Sequence, residues 1–483
     1  MRAIAFFGLV TVFLAACADS GAAGPANGVA QLSGTWRGTI DNAGTPLEMI
    51  FHIEQTDAGV SVTLDVPAQS AENLPVRSIT REGRQVRMQA PLLGATYEGE
   101  LSEDAGTISG TWEQNGAEVS LTLSRTDADQ TAGLSRPQTP ESHPYQTRDL
   151  TFTNTEADIE FGATVTWPSG DGPFPGVVLI SGSGQQDRNH EIYGHQTFAV
   201  LADALTRAGY AVLRYDDRGV GESGGAQSLG EATTESFAQD ARAAYERLAA
   251  LAQVDAGRVG LAGLSEGGSI APMVAALLRD ASASGDPVSG ERAVGPPAFL
   301  VLLGASAVPG DELMMAQTRA ILEASGAGQA QIDAAADANR RIYDIVLSDI
   351  SDEEAADRVR SVMEDLGVAS RQIDAQVAAL TSRWYRAFLR YNPAPLLGEL
   401  TQPVLALYGE LDTQVPADVN APAMREALSA APTDRNRVRV LDGVNHLLQP
   451  ATTGSTAEYS QIEVTVAESV LEAITSWLDE VVE

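Results

Sequence analysis

Lysine is absent from all 483 residues, so each of the 31 basic side chains is an arginine. That absence excludes the Walker-A phosphate loop, the pyridoxal Schiff base, the kinase phosphate lysine and the Ser-Lys dyad, because each chemistry needs the amine. Cysteine occurs once, at Cys17. One thiol closes no disulfide within the chain and builds neither a thiolate zinc cage nor an iron–sulfur cluster. Positive charge is scarce as well: 65 acidic residues leave a formal net charge of −34, which argues against nucleic-acid binding by phosphate neutralisation. Histidine is limited to five positions, which shortens any search for a general base. What is present is ordinary for a folded protein. A hydrophobic share of 44% with 20% charged residues is globular composition, and the length fits two or three domains.

Residues 1–16 place Arg2 ahead of an apolar run from Ala3 to Leu14 and a small-residue exit. That is the layout of an export signal, too short for a spanning helix. The string Leu14-Ala15-Ala16-Cys17 resembles the lipobox of bacterial lipoproteins. The resemblance implies that Cys17 becomes the lipidated N-terminus, the alternative being a plain signal peptide that contains a cysteine. With Ala18 rather than aspartate behind it, the resemblance further implies an outer-membrane lipoprotein facing the periplasm, touching the membrane only through its N-terminal lipid. Residues 17–31 are small and polar, a flexible tether.

From 32 to 127 the pattern changes to short alternating runs such as Leu47-Glu48-Met49-Ile50-Phe51-His52-Ile53, separated by Gly, Asn and Asp turns. This predicts a small all-β domain, a barrel or a sandwich. Ser33-Gly34-Thr35-Trp36 recurs as Ser109-Gly110-Thr111-Trp112 near its two ends, a short echo of the kind equivalent strands leave. His52 reads as a structural histidine. Residues 128–145 hold Pro137, Pro140 and Pro144 among polar residues and read as a linker.

Residues 146–483 alternate strand and helix. Gly176 to Ile180, Tyr210 to Tyr215, Val259 to Ala262, Phe299 to Leu303 and Val404 to Tyr408 are continuous apolar runs suited to strands buried on both faces of a parallel sheet. Helical stripes lie between them, such as Phe198, Leu201 and Leu205, and a last one at Val464, Ala467, Leu471, Ile474 and Leu478. The alternation predicts an α/β domain with a mostly parallel sheet and helices on both faces. An Ala-rich helical insertion at 309–395 reads as a lid over the carboxyl edge of that sheet.

The sharpest motif is Gly263-Leu264-Ser265-Glu266-Gly267-Gly268, entered from a strand and followed by the helical run Ile270 to Leu278. A nucleophile elbow needs this: glycines around a strained turn, a serine hydroxyl lifted from the sheet edge, and a helix start aimed at a developing oxyanion. A serine needs a base, and His446 is the only histidine downstream. The orienting acid belongs at the end of a preceding strand, where Val404 to Tyr408 runs into Gly409-Glu410-Leu411-Asp412 and supplies Asp412. Its rivals are Glu410, Asp418 and Asp442. The chain order Ser265, Asp412, His446 is the α/β-hydrolase order. Two backbone N–H groups complete the site as an oxyanion hole, that of Glu266 and that of Ser183 in the loop Ser181 to Arg188, with Gly184 or Gln185 as alternatives to Ser183.

These motifs, together with Tyr215-Asp216-Asp217-Arg218-Gly219-Val220-Gly221-Glu222-Ser223 and Gly443 to His446, resemble the bacterial lineage of α/β-hydrolases that includes the EstD-type carboxylesterases and serine-aminopeptidase-like hydrolases. The resemblance covers about residues 146–483. It implies an α/β-hydrolase fold with a helical lid, a small-molecule ester as substrate, and no cofactor or metal. Ser181 stands where many relatives carry histidine. A peptidase or acyltransferase with the same triad, and a non-catalytic envelope-binding protein, are the competing readings.

Two strings are decoys. Gly219-Val220-Gly221-Glu222-Ser223-Gly224 spells a dinucleotide fingerprint but follows an interior strand of the series and leads into a polar stretch, so it reads as a turn bordering the site. His190 and His195 are one residue too far apart to share a helix face as zinc ligands, and are expected instead at the rim of the active-site mouth. In the lid, Met314, Met315, Trp384, Tyr385, Phe388 and Tyr391 either line an acyl pocket or pack the lid.

Overall fold

A computed structural model describes residues 29–42, 45–56, 59–66, 71–90, 95–114, 117–126, 135–284, 294–368 and 370–482. The expected export signal 1–16, Cys17 and the tether up to residue 28 lie outside the described residues, as do residues 127–134 of the expected linker. The chain divides into two compact units. One is built on the strands before Ser135, the other on Arg136–Gly367 and Gln376–Glu483. No helix among the described residues is long and apolar enough to cross a membrane.

The first unit is all β. Its strands are β1 (Gly34–Asn42), β2 (Thr45–Thr56), β3 (Gly59–Val66), β4 (Ala71–Pro75), β5 (Ser78–Glu82), β6 (Gln85–Ala90), β7 (Ala95–Leu101), β8 (Thr107–Gln114) and β9 (Ala117–Thr126). They form one antiparallel sheet in the order β4-β3-β2-β1-β9-β8-β7-β6-β5. The two end strands, β4 and β5, are joined by Val76 and Arg77 alone, so Pro75 and Ser78 lie no further than about 11 Å apart. The Val76 N–H donates to Val62 of β3 and the Arg77 N–H to Gln89 of β6, so the sheet curls until its ends meet. Barrel rather than sandwich is the outcome.

Strict alternation fills the barrel. In β6 every second residue is buried, and Trp36, Phe51, Tyr97 and Trp112 form the interior with Phe51 edge-on to Trp112 at 6.0 Å. The two tryptophans of the Ser-Gly-Thr-Trp echo therefore both point inward, from β1 and β8. His52 alternates with buried Phe51 and Ile53; its Nε2 lies 2.7 Å from Asp65 Oδ2 and its Nδ1 3.3 Å from Thr35 Oγ1, as a structural histidine would be held.

The second unit carries an eight-stranded sheet, β10 (Gln146–Asn154), β11 (Ile159–Trp167), β12 (Phe174–Ile180), β15 (Ala211–Tyr215), β16 (Val254–Leu264), β17 (Leu300–Leu303), β18 (Val404–Gly409) and β19 (Arg437–Leu441), with β13 (Glu191–Ile192) and β14 (His195–Gln196) making a small separate hairpin. The order is β10-β11-β15-β12-β16-β17-β18-β19; the last six are parallel and β10 and β11 add an antiparallel edge. Helices α1 (Thr197–Arg207), α2 (Thr234–Ala249) and α3 (Glu266–Ser284) connect β12, β15, β16 and β17. The lid follows as α4 (Gly310–Ala324), α5 (Gln329–Val346), α6 (Asp352–Asp365), α7 (Ser370–Leu380), α8 (Arg383–Arg390) and α9 (Ala394–Gly398), and α10 (Ala417–Ser429) and α11 (Glu468–Val481) close the chain. One core lies between the sheet and α2, α3 and α10, the other between the sheet and α1 and α11. Continuous apolar strands are what such double coverage requires.

Two expectations change. The last helix starts at Glu468, so Val464 and Ala467 precede it and the buried stripe is Val470, Ala473, Ile474, Trp477 and Leu478. Gln138 Oε1 accepts from the N–H groups of Thr465 and Val466 and ties down the segment ahead of the helix. By the same contacts the second half of the expected linker is not free. Arg136 donates to the carbonyls of Tyr193, Ser460 and Ile462, which fixes this stretch to the α/β unit.

Candidate active site

Topology chooses the place. From β12 the chain crosses one way to β15, and from β16 it leaves the other way to β17, so a crevice opens between the carboxyl ends of β12 and β16. Open α/β sheets bind ligands at such a switch point.

Ser265 stands at the end of β16, before the first residue of α3, with a φ of 56°. A non-glycine residue held there stores strain, and the surroundings enforce it. A Cβ on Gly263 would overlap the carbonyl of Gly267, and one on Gly267 would overlap the carbonyl of Ile180 in β12. The Ser265 N–H donates to Leu303 at the end of β17 at 2.8 Å, which locks the turn to its neighbour.

The candidate acid and base lie beyond the ends of β18 and β19. His446 Nδ1 is 2.8 Å from Asp412 Oδ2, and both residues are buried. The other Asp412 oxygen accepts from the N–H groups of Gln414 and Val415, each at 2.8 Å. An ionised Asp412 takes the proton on Nδ1 as its donor, which leaves Nε2 as the basic nitrogen. Of the four candidate acids Asp412 is the one bonded to His446. Glu410, Asp418 and Asp442 are exposed, and Glu410 accepts from the Gly443 N–H. Gly304, which follows Leu303, brings backbone against the pair; a Cβ there would stand 3.2 Å from Asp412 Oδ2 and 3.4 Å from His446 Nδ1. The strand end that holds Ser265 in place thus also abuts His446. Sequence reasoning missed Gly304, whose only signal is its position after an apolar run.

The loop after β12 lies against Ser265. A Cβ on Gly182 would be 3.2 Å from Ser265 Cβ and 3.8 Å from its Oγ, so the loop passes the serine at its second residue. The N–H groups at a helix start have no partner within the helix, so that of Glu266 is available to an anion. Ser181, the departure from the usual histidine, donates its hydroxyl to Asp217 at 2.6 and 2.8 Å from the two carboxylate oxygens. The Gln186 N–H donates to Asp217 as well, so one carboxylate spans both ends of the loop. Burial pushes the Asp217 carboxyl up to about 7.

The remaining charges of the 215–223 string are structural. Arg188 holds Asp216 and Glu222, each at 2.6 Å, and Arg218 pairs with buried Asp240 of α2. Gly219 to Gly224 close a turn through the Gly219 N–H and the Gly224 carbonyl, as expected of the decoy fingerprint.

His190 and His195 are buried and not exposed at a rim, though His190 is close enough to His446 to feel its charge. His190 stacks on Phe198 at 5.0 Å, while His195 lies 2.9 Å from Thr465 Oγ1 and 3.2 Å from the Tyr459 carbonyl. Burial pulls each down to about 4. A short hairpin, β13 and β14, sets His195 against the C-terminal segment. No group of three or more His, Cys, Asp or Glu side chains among the described residues is arranged to hold a metal.

In the lid, Tyr385 is buried with its hydroxyl 3.4 Å from that of Tyr343, a packing role. Trp384 stacks on Phe388 at 5.4 Å and donates its indole N–H to Glu266 Oε1 at 2.9 Å. Met314 and Met315 are half-buried.

The profile of the alpha/beta hydrolase family matches residues 177–453, which contain all of these site residues. Among curated proteins the chain is similar to esterase EstD of Thermotoga maritima, 24% identical over 341 residues that cover 70% of this chain and 68% of that one. Among solved structures it is similar to an esterase of Pyrococcus furiosus, 13% identical with a TM-score of 0.41 over 73% of this chain and 99% of the other. A thermophilic esterase from Thermogutta terrifontis is 22% identical, with a TM-score of 0.38 over 70% of this chain and all of the other.

Proposed function

The chain belongs to the alpha/beta hydrolase family, and from that premise we propose that it hydrolyses carboxylic esters of small molecules through an acyl-enzyme on Ser265. The observation that carries the reading is the His446–Asp412 hydrogen bond at the edge of the sheet where Ser265 is held at positive φ. Ser265 Oγ attacks the ester carbonyl while His446 Nε2 takes its proton. Asp412 fixes the imidazole and stabilises the imidazolium. The N–H groups of Glu266 and Ser183 receive the oxyanion. Collapse of the tetrahedral intermediate breaks the C–O bond, His446 returns the proton to the leaving alcohol, and water then repeats the sequence on the acyl-enzyme. The esterase name of the curated relative supports an ester over other acyl substrates.

A panel of nitrophenyl esters and aminoacyl anilides, run on the wild type and on Ser265→Ala, tests this. Ester turnover lost in the variant is expected. Anilide turnover exceeding ester turnover would replace the esterase reading with a peptidase.

We further place the enzyme in the cell envelope, held by a lipid on Cys17 as the lipobox-like string implies. Fatty-acid labelling in cells of the wild type and of Cys17→Ser tests it, with label expected on the wild type alone; label on neither protein sinks the proposal.

A further inference from the structure

The Glu266 side chain has no part in that mechanism, although its N–H does. The carboxylate is buried directly after the nucleophile, and three elements converge on it. Thr234 of α2 donates its hydroxyl to Oε1 at 2.6 Å. Trp384 of lid helix α8 donates its indole N–H to the same oxygen at 2.9 Å. The Ser183 hydroxyl, on the loop after β12, lies close enough to the carboxylate to favour its ion. Burial holds the Glu266 carboxyl above the usual carboxylate range while these three groups favour its ion.

Burying a carboxylate is costly unless its oxygens are hydrogen-bonded, so this one dictates where its donors sit. Two of the donors belong to segments that an α/β-hydrolase site needs in register: the loop that supplies the second oxyanion N–H, and the lid. The third, Thr234, belongs to α2, which packs against the sheet and keeps the carboxylate in place whatever the lid does.

We propose that the Glu266 carboxylate is a positioning residue that links the lid to the oxyanion hole, Trp384 seating the lid on Glu266 and Glu266 holding Ser183 so that its N–H faces the oxyanion. The inference rests on the ester-hydrolase reading and extends it. Its consequence is that a seated lid assembles the hole, so that lid contacts act on the chemical step and not on substrate binding alone. The contacts act in series, from Trp384 to Glu266 to Ser183.

Three proteins test it: Trp384→Phe, which keeps a ring and removes the N–H; Glu266→Gln, which keeps one acceptor oxygen and removes the charge on which the donors converge; and the double variant. Active sites are counted by fluorophosphonate titration so that kcat refers to folded enzyme, and kcat and KM for a nitrophenyl ester are measured separately. Loss of one oxyanion donor costs about 10²- to 10³-fold in kcat, so a displaced donor is expected to cost about 10- to 100-fold, with KM changed less than about 3-fold. Because the contacts act in series, the double variant should be no slower than Glu266→Gln. A purely structural role would lower the titrated fraction and the melting temperature and leave kcat per site unchanged. That result, or effects that multiply in the double variant, overturns the inference while the hydrolase reading stands. A wild type that does not react with the fluorophosphonate overturns both.

Discussion

His446 and Asp412 are joined at 2.8 Å across the ends of two neighbouring parallel strands, with the second Asp412 oxygen capped by two backbone N–H groups. The carboxylate is fully committed: one oxygen to the imidazole, the other to the turn that carries it. Such an acid orients its histidine rigidly and holds the proton on Nδ1.

Asp412→Asn should keep the fold and lose the chemistry. An amide in that place offers N–H where the imidazole N–H donates, favouring the wrong tautomer. A fall in kcat of about 10³- to 10⁴-fold is expected, with KM nearly unchanged, measured by ester hydrolysis near pH 8. A loss below about 10-fold would mean that another acid orients His446.

Gly267→Ala tests the elbow. Its Cβ would overlap the Ile180 carbonyl, so either β12 or α3 must move. Thermal unfolding should show a loss of at least about 2 kcal/mol, and activity should fall with it.

Asp217→Asn should change how stability depends on pH. With its carboxyl raised to about 7 against an ordinary 3.8, folded Asp217 binds a proton that the unfolded chain has released, between those two values. Its contribution is therefore present below about pH 4 and is lost as pH rises towards 7. The melting temperature of the variant relative to wild type should become more favourable as pH rises from 4 to 7. A difference that does not vary with pH contradicts the raised value.

His195→Gln should act in the opposite sense. His195 is pulled down to about 4 from 6.5 by burial, so between these values the unfolded chain binds the proton that the folded one refuses. Stability falls as pH drops through that window, by up to about 1.4 kcal/mol per pH unit for one proton. Chemical denaturation of the variant should show a shallower acid slope than wild type.

The elbow at Ser265 and the pairing of Asp412 with His446 were legible in the sequence because each is announced locally: glycines that a strained turn demands, an acid at the end of a buried apolar run, and a histidine with no downstream competitor. The clamps on the loop after β12 and on Glu266 were not. Ser181 meets Asp217 across 36 residues and Trp384 meets Glu266 across 118, and no periodic pattern records a contact of that kind. Closure of the β unit was likewise hidden until Val76 and Arg77 proved to be the whole connection between the two end strands. The tether of the segment before α11 to Gln138, more than 320 residues away in sequence, was hidden in the same way.

The most direct test of the account is mass spectrometry of the full-length protein after reaction with a fluorophosphonate, followed by peptide mapping. One adduct per chain is expected, on the peptide containing Ser265, and none on Ser265→Ala. An unmodified wild type, or an adduct on any other residue, contradicts Ser265 as the nucleophile.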